Sequence, residues 1–152
     1  MTMKQPIDRD PVMILSDLAR LSRTWADNRA REYAMTRAQW MILVRLERQP
    51  AMSQSELAAL IEVEPITVAR LVDRLEARGM VERRPDPSDR RIWRLHLTPA
   101  AQPMLKEIAA VRAELNGIMC AGIPQKHLDI AIDCLLTMKA NMADIRASAK
   151  SA

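Results

Sequence analysis

The stretch "SQSELAALIEVEPITVARLVDRLEARGMVERR", Ser53 to Arg84, decides the fold. Ser53 followed three residues later by Glu56 is a capping box, in which each side chain satisfies a backbone donor at a helix start. Leu57, Leu60 and Ile61 then supply the apolar stripe of a short helix. A tight connection, Glu62 to Glu64, leads to Pro65, suited to the first turn of another helix. There Val68, Leu71, Val72 and Leu75 stand at the spacing of one amphipathic face. Gly79 falls where a left-handed cap ends the helix. Two short helices across a tight turn, the second amphipathic, make a helix-turn-helix.

Immediately downstream, a strand is expected near Met80 to Arg84 and a second from Arg91 to Leu97, joined through Pro85-Asp86-Pro87-Ser88-Asp89. The second strand alternates, with Trp93, Leu95 and Leu97 read as the inward face and Arg94 and His96 as the outward one. A helix-turn-helix followed by such a hairpin is a winged helix. Its hairpin carries Arg83, Arg84, Arg90, Arg91 and Arg94 against Asp86 and Asp89, a local surplus of three positive charges.

Outward from this lobe the sequence is helical. Asp10-Pro11 opens a helix to about Tyr33, with Leu15, Leu18, Leu21 and Trp25 recurring along it. A second runs from Thr36 to Arg48, with Trp40, Met41, Leu43 and Val44 inward, and Pro50 closes it. Thr98-Pro99 begins a long helix to about Cys120, in which Leu105, Ile108, Leu115 and Ile118 are apolar and Pro103 introduces a bend. Gly122 ends it and Pro124 starts the last helix. Along that helix Leu128, Leu135 and Met142, and Ala131, Met138 and Ile145, repeat every seven residues, which lets one helix face another along its length.

The chain has 152 residues, 49% of them hydrophobic, enough for one domain with a real core. No apolar run is long enough to span a bilayer, and the start, "MTMKQPIDRDP", lacks a secretory pattern, so the cytosol is the expected location. Cys120 and Cys134 give neither a disulfide framework nor metal-ligand spacing. His96 and His127 stand apart from any matching nucleophile. Three glycines cannot build a phosphate-cradling loop. No enzymatic activity, metal or cofactor is expected.

Arginine supplies 18 of the 23 basic residues, and eight of them lie between Arg70 and Arg94, so the basic character is concentrated on the winged helix. Arginine suits planar contacts to phosphates and guanine edges. Thr67, Arg70 and Arg74 lie opposite the apolar stripe of the second helix. Set in a major groove, Thr67 and Arg70 would read bases and Arg74 would hold a phosphate, with Pro65 and Ile66 against a thymine methyl or sugar edge. An arginine at the end of a hairpin reaches a minor groove, and Asp89 beside it would brace it.

The segment "DPSDRRIWRLHLT" with the preceding helix-turn-helix and flanking helices resembles the MarR family of winged-helix transcriptional regulators. "SDLARLSRTW" and "AGIPQKHLDIAI" are similar to its SlyA branch, although the segment Asn28 to Ala34 is shorter. The resemblance spans roughly Asp10 to Ile145. It implies a mainly α fold with a small β-hairpin wing, residues 1–152 forming one domain. The DNA-binding lobe would occupy 34–98, and dimerisation helices 10–33 and 99–148. It also implies a homodimer on a pseudo-palindromic double-stranded operator, most often as a repressor. Arg70 matches the reading helix, Arg91 the wing arginine, Asp89 its acidic neighbour and Arg90 a phosphate or bracing position. Family members also bind small aromatic or lipophilic anions, for which Trp25, Trp40, Arg23 and Arg29 are the candidates here.

Three alternatives stay open. The winged helix would serve as a protein-interaction module for an acidic partner. Cys120 or Cys134 would make the chain an oxidant sensor. The apolar terminal helices would fold back on their own lobe instead of pairing with a copy.

Overall fold

The computed structural model describes residues 7–150, with side chains described through Ile145. Residues 1–6 and 151–152 of the expected domain lie outside the described residues. The fold is mainly helical with one small antiparallel sheet. Its contacts divide it into two units, one through Arg112 and the other from Ala113.

The first unit opens with α1, Pro11–Glu32, whose start is fixed by the Asp10 carboxylate accepting from the amides of Val12 and Met13. Its end carries Ala34 at φ 53°, with the Met35 and Ala34 amides returning to the carbonyls of Ala30 and Arg31. That is a Schellman motif closed by alanine, where glycine is the unstrained residue. Next, α2, Arg37–Arg48, starts with a capping box between Thr36 and Gln39. It buries Trp40 and Leu43 as expected, but also Gln39, Ile42 and Leu46, leaving Met41 and Val44 half-buried.

A two-residue strand follows, β1, Met52–Ser53, then α3, Gln54–Ile61, and α4, Pro65–Ala77. The capping box between Ser53 and Glu56 is formed. Val68, Leu71, Val72 and Leu75 are all buried, as their spacing requires. Gly79 has φ 68°, and the Met80 and Gly79 amides close a second Schellman motif on Leu75 and Glu76. In α3 the expected stripe is corrected: Leu60 is exposed, and Ala58 is buried beside Leu57. The helix meets its neighbours along the line of Leu57 and Ala58, and a small residue there permits close approach.

The wing strands are β2, Val81–Pro85, and β3, Trp93–Leu97. Leu97 pairs with Val81 and Trp93 with Pro85. The sheet has three strands, in the order β1-β3-β2, because Met52 pairs with Leu95 and Ser53 with Arg94. Arg91, expected to begin the second strand, lies in the turn. Trp93, expected inward, is 48% exposed, whereas Leu95 on the same face is completely buried. Core cover stops at Leu95, where β1 meets β3; Trp93 lies one step further toward the wing tip.

The first half of α5, Gln102–Met119, completes this core with Met104, Leu105, Ile108 and Val111. Fully buried residues such as Ile42, Leu46, Leu57, Leu75 and Leu95 each contribute about 1.5–3 kcal/mol by leaving water. In the second unit Ile118 is exposed, Gly122 adopts φ 76°, and α6, Gln125–Lys150, follows. Leu135, Met138, Met142 and Ile145 of the seven-residue strings are exposed in the single chain, and so are Leu15, Leu18 and Leu21 of α1.

Candidate nucleic-acid interface

Burying Val68, Leu71, Val72 and Leu75 fixes the rotation of α4. Pro65, Ile66, Thr67, Arg70 and Arg74 are therefore turned to solvent together. The side chains of Arg70 and Arg74 make no hydrogen bond or ion pair with a described residue. Asp73, the acidic neighbour within reach of Arg70 along the helix, is engaged by Arg83 at 2.6 Å instead.

The wing turn is organised by Asp86, which is buried. Its carboxylate accepts from the Ser88 amide at 2.7 Å, the Ser88 hydroxyl at 2.6 Å, the Asp89 amide at 3.2 Å and Arg94 Nε at 2.6 Å. The Ser88 hydroxyl, the Arg94 guanidinium and the Ser88 amide hold this carboxyl well below the usual carboxylate range. Arg94 also donates to Glu56 at 2.9 Å and to the Ala51 carbonyl at 3.3 Å. The same Glu56 oxygen accepts from the Ser53 amide, so the wing is tied to the first turn of α3.

These contacts correct the expected surplus of wing charge. Arg83 is consumed by Asp73, Glu76 and Gln54, Arg84 by Glu82, and Arg94 by Asp86 and Glu56. Arg83 and Arg94 are largely buried and must be neutralised locally, because an unpaired buried charge is costly, whereas Arg84 pairs on the surface. Arg90 and Arg91, in the turn, remain outward. Arg91 projects with its side chain 90% exposed, held by Asp89 through Nε at 3.0 Å and a terminal nitrogen at 2.9 Å. That ion pair lowers the Asp89 carboxyl from its ordinary value and raises the Arg91 guanidinium.

Ser53, Gln54, Ser55, Arg91, Ile92 and Trp93 line a cleft of about 310 Å³ where the start of α3 meets the wing. In the sequence Ser53 has only a capping role and Trp93 belongs to the core, so the cleft is not visible there.

The four ligand candidates separate into two environments. The Arg29 guanidinium lies over the Trp25 ring, 5.7 Å from its centre. Arg23 is exposed on the same helix. Trp40 is core, its ring 5.7 Å from that of Tyr33. Among the described residues no group of His, Cys, Asp and Glu is arranged to hold a metal. No helix there is long and apolar enough to cross a membrane. Cys120 and Cys134 are both free thiols.

Two helices in a helix-turn-helix, an antiparallel wing and outward arginines on both define a winged-helix fold with a basic outer face. A model of the MarR family matches residues 35–93, from the start of α2 into the wing. The chain is 32% identical to the transcriptional regulator PA3341, over 86% of this chain and 98% of that one, with a TM-score of 0.72. It is 27% identical to the transcriptional regulator SlyA, over 89% and 95% of the two chains, with a TM-score of 0.76. A crystal structure of MarR shares the fold at a TM-score of 0.82, with 24% identity over 97% and 98% of the chains. The chain belongs to the MarR family of winged-helix transcription regulators, whose members bind DNA as dimers and are not enzymes.

Proposed function

We propose that this chain is a sequence-specific repressor that binds a pseudo-palindromic operator as a homodimer. The observation that carries the reading is the division of labour among the wing arginines: Arg83 and Arg94 are spent on carboxylates of the lobe, while Arg91, paired with Asp89 in the turn, is held extended into solvent. In the proposed complex α4 enters the major groove, where Thr67 and Arg70 read base edges beside Pro65 and Ile66. Arg74 meets a phosphate, Arg91 enters the minor groove braced by Asp89, and Arg90 holds the adjacent backbone. The cleft at Ser53–Ser55 accepts another phosphate on the amides of Gln54 and Ser55, which the capping box leaves open. The exposed apolar residues of α1 and α6 support pairing with a second copy, since isolated chains rarely leave such surfaces in water.

Release by a small aromatic or lipophilic anion is part of the proposal. Its support is the stacked pair Trp25 and Arg29, together with the buried Trp40 indole N–H, which has no partner among the described residues. Selection of bound duplexes from a random pool, followed by competition with random-sequence DNA, tests the function. A repressor of this design enriches two-fold symmetric sites and prefers them at least about a thousandfold. Equal competition by random DNA would instead favour an acidic protein partner.

A further inference from the structure

An open recess of about 520 Å³ lies where the end of α1, the start of α2 and the second half of α4 come together. Its lining includes Arg31, Arg74 and Arg78, with Gln39, Met35 and Ala77. Seven other arginines, at 20, 29, 37, 83, 84, 91 and 94, each have a carboxylate partner. The three around the recess, like Arg70 earlier on α4, have none among the described residues. Arg31 donates only to the Asn28 amide oxygen at 2.9 Å, and Arg78 only to the carbonyls of Tyr33 and Ala34, at 3.2–3.5 Å. Gln39 is 4% exposed, its side-chain oxygen is occupied by Thr36, and its Nε2 has no partner among the described residues.

Three guanidinia on one recess, none of them ion-paired to a described carboxylate, focus a positive field. Guanidinium and carboxamide groups donate hydrogen bonds, so the complementary ligand is an oxyanion able to accept several of them. Met35 and Ala77 add an apolar wall, which suits a hydrocarbon body, and the volume is in the range of small-molecule sites. We propose that this recess binds a small organic dianion, a phosphomonoester or dicarboxylate carrying an apolar group. The site shares no residue with the Trp25, Arg23, Arg29 and Trp40 set, and its existence does not rest on the DNA reading. Its consequence does: Arg74 engaged by the dianion is withdrawn from the proposed phosphate contact.

Calorimetric titration of the full chain without DNA, at fixed ionic strength, tests the site with phenyl phosphate and with phthalate. Saturable binding of one molecule per chain is expected for at least one of the two. Arg31→Gln and Arg74→Gln should each weaken it by about tenfold or more. Both positions are on the surface, so folding is preserved, and circular dichroism checks it. Heat that never saturates, or binding indifferent to both substitutions, would overturn the proposal. If neither probe binds and Arg31→Gln weakens duplex binding, the guanidinia belong to the DNA backbone and the proposal falls.

Discussion

Asp89 grips Arg91 through both carboxylate oxygens, at 3.0 Å and 2.9 Å, while leaving the guanidinium almost wholly in solvent. An acid beside a DNA-contacting arginine opposes binding through its charge, so its value must come from fixing the rotamer. Arg91→Ala should weaken operator binding roughly tenfold to a hundredfold at fixed salt, measured by fluorescence titration. Asp89→Ala should separate the two effects. Affinity for random DNA rises as a negative charge is lost, and the ratio of specific to random binding falls. A rise in that ratio would remove the bracing role.

Arg74 is placed on the exposed face of α4 beyond the residues assigned to bases. Arg74→Ala should weaken all duplexes alike and make the slope of log affinity against log salt shallower by about 0.9 per subunit. An undiminished slope would return Arg74 to the solvent surface.

Acid should loosen the wing through Asp86. Its carboxyl is lowered in the folded state, so the stability it contributes is fully present above its unfolded value, about pH 4, and is lost as pH falls below that toward the folded value. The unfolded chain takes up the proton first. Asp86→Asn should melt lower at neutral pH, because Arg94 loses its charge partner, yet its melting temperature should fall less steeply below about pH 4. Thermal melts of both proteins across that range check the difference in slope.

Two opposite exchanges should both stabilise. Ala34 sits at φ 53°, and Ala34→Gly relieves left-handed strain, for a gain of about 0.5–1 kcal/mol. Gly117 lies within α5 with open space where a Cβ would stand, so Gly117→Ala gains about 0.5–1 kcal/mol through helix propensity. Denaturant melts measure each. A loss at either position would contradict the local geometry.

What the sequence made legible was local. The boundaries of α1, α3 and α4 follow from Asp10, Ser53, Glu56, Pro65 and Gly79, whose effects act within a few residues. The outward face of α4 followed from the spacing of its buried one. Features set by distant neighbours were not legible. Arg83 and Arg94 looked like free wing charge until the fold brought Asp73, Glu76 and Glu56 to them. Trp93 continued the alternation of its strand, but alternation cannot say where the core beneath it stops. β1 is too short to alternate at all, and the Arg31, Arg74 and Arg78 recess draws on separate helices, none unusual alone.

A hydroxyl-radical footprint on a selected operator tests the central claim most directly, that two copies each bring α4 and Arg91 to one duplex. The account predicts a two-fold symmetric pattern with half-site centres about one helical turn apart, roughly 34–36 Å. It also predicts minor-groove protections that vanish in Arg91→Ala while the major-groove ones persist. A single asymmetric footprint, or minor-groove protections unchanged in that variant, would contradict it.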